Sequence, residues 1–129
     1  MSENFLGSFR NGEEVRLEAG QILFKKGDMA HGMYVVLSGE LQILDGNRVF
    51  ETVGRGDIVG EMALVDGGPR SATVRASSAS EVSPIDERRF MFMVQQTPHF
   101  ALRVMRVMSA RLRAMNAQAT ELDRPDGWV

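Results

Sequence analysis

Between residues 60 and 74 the chain reads Gly60-Glu61-Met62-Ala63-Leu64-Val65-Asp66-Gly67-Gly68-Pro69-Arg70-Ser71-Ala72-Thr73-Val74. Three features meet there: a Gly-Glu pair entering a short turn that can be helical, a glycine-rich bend, and an Arg-Ser pair that starts an apolar strand. Backbone amides at the start of a helical turn attract an anion, and glycine lets a ligand approach the main chain closely. Arg70 can add a charge-assisted, bidentate contact to phosphate oxygens, and Ser71 can add a hydroxyl donor.

Outward from this stretch, residues 15–86 form short β-rich runs separated by glycine-containing turns, the pattern of an all-β sandwich or barrel. Strands are expected at 14–17, 21–25, 33–37, 40–44, 48–53, 71–76 and 81–85. Asp45-Gly46-Asn47 joins two of them as a tight hairpin, because these residues tolerate the positive φ of such turns. Gly27-Asp28 and Gly39 mark further turns. After Ile85 the alternation stops. Asp86 can cap a helix over 87–95, and Thr97-Pro98 opens a second helix over 98–119. Residues 120–129, with Pro125 and Gly127, are expected to form a flexible tail. No repeat or linker interrupts the chain, so residues 1–129 are expected to be one domain with its core at about 14–118.

Composition narrows the function. With 129 residues, 43% hydrophobic and 25% charged, the chain can bury one core without disulfides or metals. A net charge of −2 lacks the basic excess of a nucleic-acid binder, so no nucleic acid is expected to bind this chain alone. There is no cysteine, which excludes disulfide scaffolds, thiol nucleophiles and Cys-based zinc sites. No stretch reaches the ~20 apolar residues of a membrane helix and the start is not a secretory signal, so the expected location is cytoplasmic, away from membranes.

Glu61 belongs beside an anion only where a donor satisfies it, and a ribose hydroxyl is such a donor. The stretch therefore asks for one phosphate negative charge with an adjacent sugar hydroxyl, which a cyclic nucleotide supplies. The residues also carry a resemblance. Val59-Gly60-Glu61-x-Ala63-Leu64, followed by Arg70-Ser71-Ala72-x-Val74-x-Ala76, resembles the phosphate-binding cassette of cyclic-nucleotide-binding domains. Upstream, Gly27-Asp28-x-Ala30, Met33-Tyr34-Val35-Val36 and Gly39 resemble that family's other signature. Phe24 departs from the family pattern of a smaller aliphatic residue, a difference expected to touch packing rather than ligand contact.

The resemblance implies a mainly β fold with α: an antiparallel, jelly-roll-like β-roll followed by two C-terminal helices, the last acting as a lid. It implies that cAMP is the ligand, with cGMP second. Glu61 would hold the ribose 2′-hydroxyl, Arg70 the cyclic phosphate and Ser71 a phosphate oxygen, while amides near Gly60, Met62, Ala63 and Ala72 complete the cradle. On the last helix, the angular step of about 100° per residue puts Arg111 on one apolar stripe with Phe100, Val104, Val107, Met108 and Met115. Arg103, Arg106 and Arg113 fall on the opposite, solvated half. A guanidinium on a core-facing stripe needs an anion, a wet cavity or an aromatic face. In channel-type members of the resembled family, an arginine at this point, followed by a leucine like Leu112, caps the base.

Other functions compete with this one. Arg70 alone could be a surface ion-pair partner, for instance of Asp66. His31 and His99 are too isolated for a metal cluster, so neither metal nor other cofactor is expected. Ser71 has no histidine placed as its base, and the chain is expected not to be an enzyme. The methionines at 91, 93, 105, 108 and 115 are expected to be adaptable core packing. A binding module that signals through its last helix, to a second copy or a protein partner, is the leading expectation. The alternatives are the ligand-binding part of a catabolite-activator-like transcription regulator, or a fold that has lost its ligand.

Overall fold

A computed structural model describes residues 6–123, with side chains described through residue 117. The described residues group into two compact units that divide between Phe92 and Met93.

The first unit is built from eight strands: β1 (Val15–Leu17), β2 (Ile22–Phe24), β3 (Met33–Ser38), β4 (Leu41–Asp45), β5 (Arg48–Val53), β6 (Ile58–Val59), β7 (Thr73–Ala76) and β8 (Ser80–Ile85). They form two four-stranded antiparallel sheets, β1-β8-β3-β6 and β2-β7-β4-β5. Apart from the β4–β5 hairpin, consecutive strands switch sheets, which is what rolls the chain, and the inward side chains of both sheets meet in one cluster that includes Leu17, Val36, Leu41, Val53, Val74 and Val82. β3 does not alternate: Met33, Val35, Val36 and Leu37 are all buried, with Tyr34 half-buried between the first two.

All seven expected strands are present, with ends that differ from expectation by two residues at most. The hairpin falls where expected: Asp45 pairs with Arg48, and Gly46 sits at φ +63°. Two differences have physical causes. The strand expected from Ser71 begins at Thr73, because the Arg70 backbone is tied elsewhere: its amide donates to the Asp28 carbonyl at 2.9 Å, and its carbonyl accepts from Gly27 at 2.8 Å. The unexpected β6 is only two residues long, too short to show alternation, and pairs with β3 through Tyr34–Val59 and Val35–Ile58.

Burial also reaches back before residue 14. Phe9 is fully buried, and its carbonyl accepts from Ser83 Oγ at 2.6 Å and Arg89 Nη2 at 2.7 Å. Helix α1 (Glu61–Asp66) lies between β6 and β7, and α2 (Glu87–Gln96) follows β8. Asp86 caps α2 as its sequence suggests, with Oδ1 accepting from the Arg89 amide at 2.8 Å.

The second unit holds the end of α2 and the helix α3 (His99–Asp123). Thr97 and Pro98 open α3 by accepting from the amides of Phe100 and Ala101 at 2.9 and 3.1 Å. The helix runs past the expected end at 119, so residues 120–123 are helical, and the rest of the expected tail lies outside the described residues. Phe100 and Val104 are buried, and Val107, Met108 and Arg111 are half-buried. The stripe ends there, since Met115 is 53% exposed. Arg103 is not on a solvated face: it is half-buried and its Nε is shielded from solvent. The expectation that the helical methionines pack in the core holds for Met93 and partly for Met108, but Met91, Met105 and Met115 are exposed.

Candidate functional site

The site grows from Gly60. Its φ of +80° is a left-handed value that side chains with a Cβ avoid, and it turns the chain from β6 straight into α1. A Cβ there would also stand 2.5 Å from Arg70 Nη1. The helix start has no side-chain cap, and Gly67 closes the other end at φ +69° with its amide on the Ala63 carbonyl at 2.9 Å. Within this one-and-a-half-turn helix Glu61 is 3% exposed and Ala63 is 7% exposed, while Met62 is half-buried. A carboxylate so deep is rare unless it is paired or hydrogen-bonded.

Arg70 is the second buried charge, 6% exposed. Its Nη1 donates to the Gly32 carbonyl at 2.6 Å and more weakly to the Gly60 carbonyl at 3.3 Å. Gly32 itself lies at φ +145°, and a Cβ at that position would run into the Ile85 carbonyl, so glycine is needed to present this acceptor. The guanidinium carbon lies 4.1 Å from the centroid of the Phe24 ring and 5.7 Å from that of Tyr34. Nε of Arg70 is buried and has no hydrogen-bond partner among the described residues. Burial pulls the Arg70 guanidinium below its ordinary value, and Tyr34, Asp28 and Glu61 oppose that by favouring its charge.

The two sequence signatures are thus physically clasped. Besides the paired backbone bonds between Arg70 and the Gly27-Asp28 turn, the Lys26 amide donates to Thr73 Oγ1 at 3.0 Å, and Asp28 Oδ2 accepts from the Lys25 amide at 2.9 Å. Gly60, Glu61, Met62, Ala63, Arg70, Ser71 and Ala72 all belong to the first unit, with Gly60 and Arg70 in direct contact and Glu61 acting on Arg70 electrostatically. Ser71 is exposed and Ala72 half-buried in the bend before β7. Arg111 belongs to the second unit. Phe24, expected to touch packing, packs its ring against the Arg70 guanidinium, so what it packs is the cation of the site itself. Sequence reasoning also missed Gly32 and Tyr34 as partners of Arg70. A signal existed, since both lie in the Gly27 to Gly39 signature.

A match to the Cyclic nucleotide-binding domain covers residues 14–97. The chain belongs to that family. Among curated relatives, it is 28% identical over 122 residues to lysophospholipase nte1 of Neurospora crassa, covering 91% of this chain and 8% of that protein. The chain therefore spans less than a tenth of that relative's length. Among solved structures, the catabolite activator protein of Thermus thermophilus superposes with a TM-score of 0.77 at 24% identity, covering 95% of this chain and 60% of that one. The cAMP-bound form of the EAL enzyme Bd1971 matches with a TM-score of 0.60 at 30% identity, covering 83% of this chain and 30% of that one.

Two further features bear on chemistry. Among the described residues, no three His, Asp or Glu side chains stand close enough to hold a metal ion. No helix among them is long and apolar enough to cross a membrane.

Proposed function

We propose that this domain binds cAMP, with Arg70 on the cyclic phosphate, Glu61 on the ribose 2′-hydroxyl, and Ser71 with the amides around Gly60, Met62, Ala63 and Ala72 completing the cradle. One observation carries this reading: an arginine only 6% exposed, its guanidinium held by two carbonyls and an aromatic ring, whose Nε has no acceptor among the described residues. An unpaired donor on a buried charge is costly, and an anionic ligand removes the cost. Glu61, buried beside it, suits a hydroxyl-bearing sugar rather than a second phosphate.

Through the family resemblance, α3 acts as a lid whose movement reports occupancy to a protein partner or a second copy. This makes the chain a cytoplasmic binding module rather than an enzyme. cGMP is the second reading, favoured by the existence of a cGMP-bound form of the EAL enzyme Bd1971, 31% identical to this chain. Calorimetric titration of cAMP and cGMP into the purified chain tests both. Saturable binding with cAMP tighter is the expected result, cGMP tighter would replace the first reading with the second, and no heat from either would overturn both.

A further inference from the structure

Arg70 also lines a cavity that none of residues 60–63 or 71–73 touches. This space has a volume of about 660 Å3, within the ~300–1,000 Å3 range of small-molecule sites. Its walls come from β2, β3, the segment 28–32, the end of β8 and the start of α2. Apolar and aromatic surface is supplied by Leu23, Phe24, Met33, Tyr34 and Phe92. At its edge Phe92 is 57% exposed and Met29 82% exposed, so large apolar groups stand in water next to a concave surface.

The polar groups of the cavity sort by what they already do. Arg89 is engaged three times over, with Ser83 Oγ, the Pro84 carbonyl and the Phe9 carbonyl. Each carboxylate in the wall accepts a hydrogen bond from a nearby group: Glu13 from Asn11 Nδ2, Asp28 from the Lys25 amide and Asp86 from the Arg89 amide. Arg88 and His31, both exposed, make no hydrogen bond or ion pair among the described residues. The donors left for a ligand are Arg88 and His31, over an aromatic floor and in a wall that also carries the Glu13, Asp28 and Asp86 carboxylates.

We infer that this cavity, which shares Arg70 with the cassette but none of residues 60–63 or 71–73, is a second ligand site, for an aromatic anion of mononucleotide size such as a linear nucleoside monophosphate or an aryl sulfonate. The anionic group meets Arg88 and His31, and the ring covers Phe92 and Met29. Arg88 supplies a planar fork suited to phosphate or sulfonate oxygens.

The methionines make the test local. Met29 and Met33 line the cavity, whereas Met62 lies in the cassette. With the chain labelled at its methionine methyl carbons, 5′-AMP and naphthalene-1-sulfonate are titrated separately and followed by NMR. The expected result is saturable shifts at Met29 and Met33 with at least one probe, and a five-fold or greater weakening in both Arg88→Glu and Phe92→Ala. Absence of shifts at Met29 and Met33 with both probes, shifts confined to Met62, or undiminished affinity in the two variants would each overturn the inference. A cAMP titration read at Met62 reports on the cassette independently, so the two sites can fail separately. Both substituted positions are exposed, and a parent-like methyl spectrum without ligand establishes that each variant is folded.

Discussion

The Phe24 ring lies beneath the Arg70 guanidinium, with the guanidinium carbon 4.1 Å from the ring centroid, so β2 fixes the orientation of the cation in the cassette. The ring covers one face of the guanidinium, the Gly32 and Gly60 carbonyls hold Nη1, and the buried Nε has no hydrogen-bond partner among the described residues. Arg70→Ala is expected to weaken cAMP by roughly 2 to 5 kcal/mol, the scale for removing one partner of a buried hydrogen-bonded charge pair. Phe24→Leu keeps an apolar side chain but removes the π face, and is expected to cost about 0.5 to 2 kcal/mol of the same affinity. Calorimetry on both variants checks the order, and parent-like affinity in Arg70→Ala removes the cassette assignment.

Gly60→Ala probes the turn that joins β6 to α1. The substitution imposes a Cβ on a left-handed backbone and presses it against Arg70 Nη1. Strain of this kind costs on the order of 1 to 3 kcal/mol, so a drop in urea stability is expected together with a loss of cAMP affinity. A variant as stable as the parent would show that the turn readily adopts another conformation.

Ser71→Thr retains the hydroxyl and adds a methyl group at an exposed position. By the family resemblance, a threonine here can also reach the guanine amino group. cAMP affinity is expected to persist while cGMP affinity rises relative to it. An unchanged ratio in paired titrations would move base selection away from this residue.

In the sequence the stretch stands out as a Gly-Glu pair and an Arg-Ser pair at fixed spacing around a glycine-rich bend; the left-handed turn at Gly60 and the burial of Glu61 and Arg70 are what the structure adds. That Phe24, Gly32 and Tyr34 are partners of Arg70 is not read from the sequence, although the last two lie in the Gly27 to Gly39 signature, because they reach it across the roll from β2, β3 and the segment between them rather than along the chain. The same clasp with the Gly27-Asp28 turn holds residues 70–72 off the sheet, which is why β7 begins later than its apolar pattern suggests. On α3 the helical period located the buried Phe100 and Val104. It misjudged Arg103, since an angular position describes one helix and not what lies around it.

Acid should weaken the fold through Glu81. Its carboxylate is held below the ordinary range first by the hydrogen bond from Arg10 Nη1, at 2.6 Å, and further by the charges of Arg10 and Arg16, against an opposing effect of burial. A carboxylate whose folded pKa is depressed stabilises the fold above its unfolded pKa, and loses that contribution as pH falls through the folded value. The urea midpoint of the parent is therefore expected to decline as pH drops below roughly 5, and Glu81→Gln to decline less steeply over the same interval. Identical slopes in parent and variant would mean that the Arg10 contact is too solvent-screened to matter.

Arg111 offers the sharpest test of the lid. It continues the helical stripe that begins with the buried Phe100 and Val104 and is itself half-buried, an unusual station for an always-charged side chain. By the family resemblance, the last helix closes over the nucleotide and an arginine at this point stacks on the purine, a contact worth about 0.5 to 2 kcal/mol. Arg111→Ala is then expected to weaken cAMP severalfold, less than Arg70→Ala, because a stacked base is a weaker partner than a phosphate. Affinity alone does not separate a lid contact from a general loss of helix packing. Hydrogen exchange does: cAMP should protect amides between Val104 and Met115 in the parent and protect them less in Arg111→Ala, while exchange of the ligand-free helix stays the same in both. If cAMP protects the helix equally in the variant, Arg111 is not the lid contact, and closure rests on the apolar residues of α3.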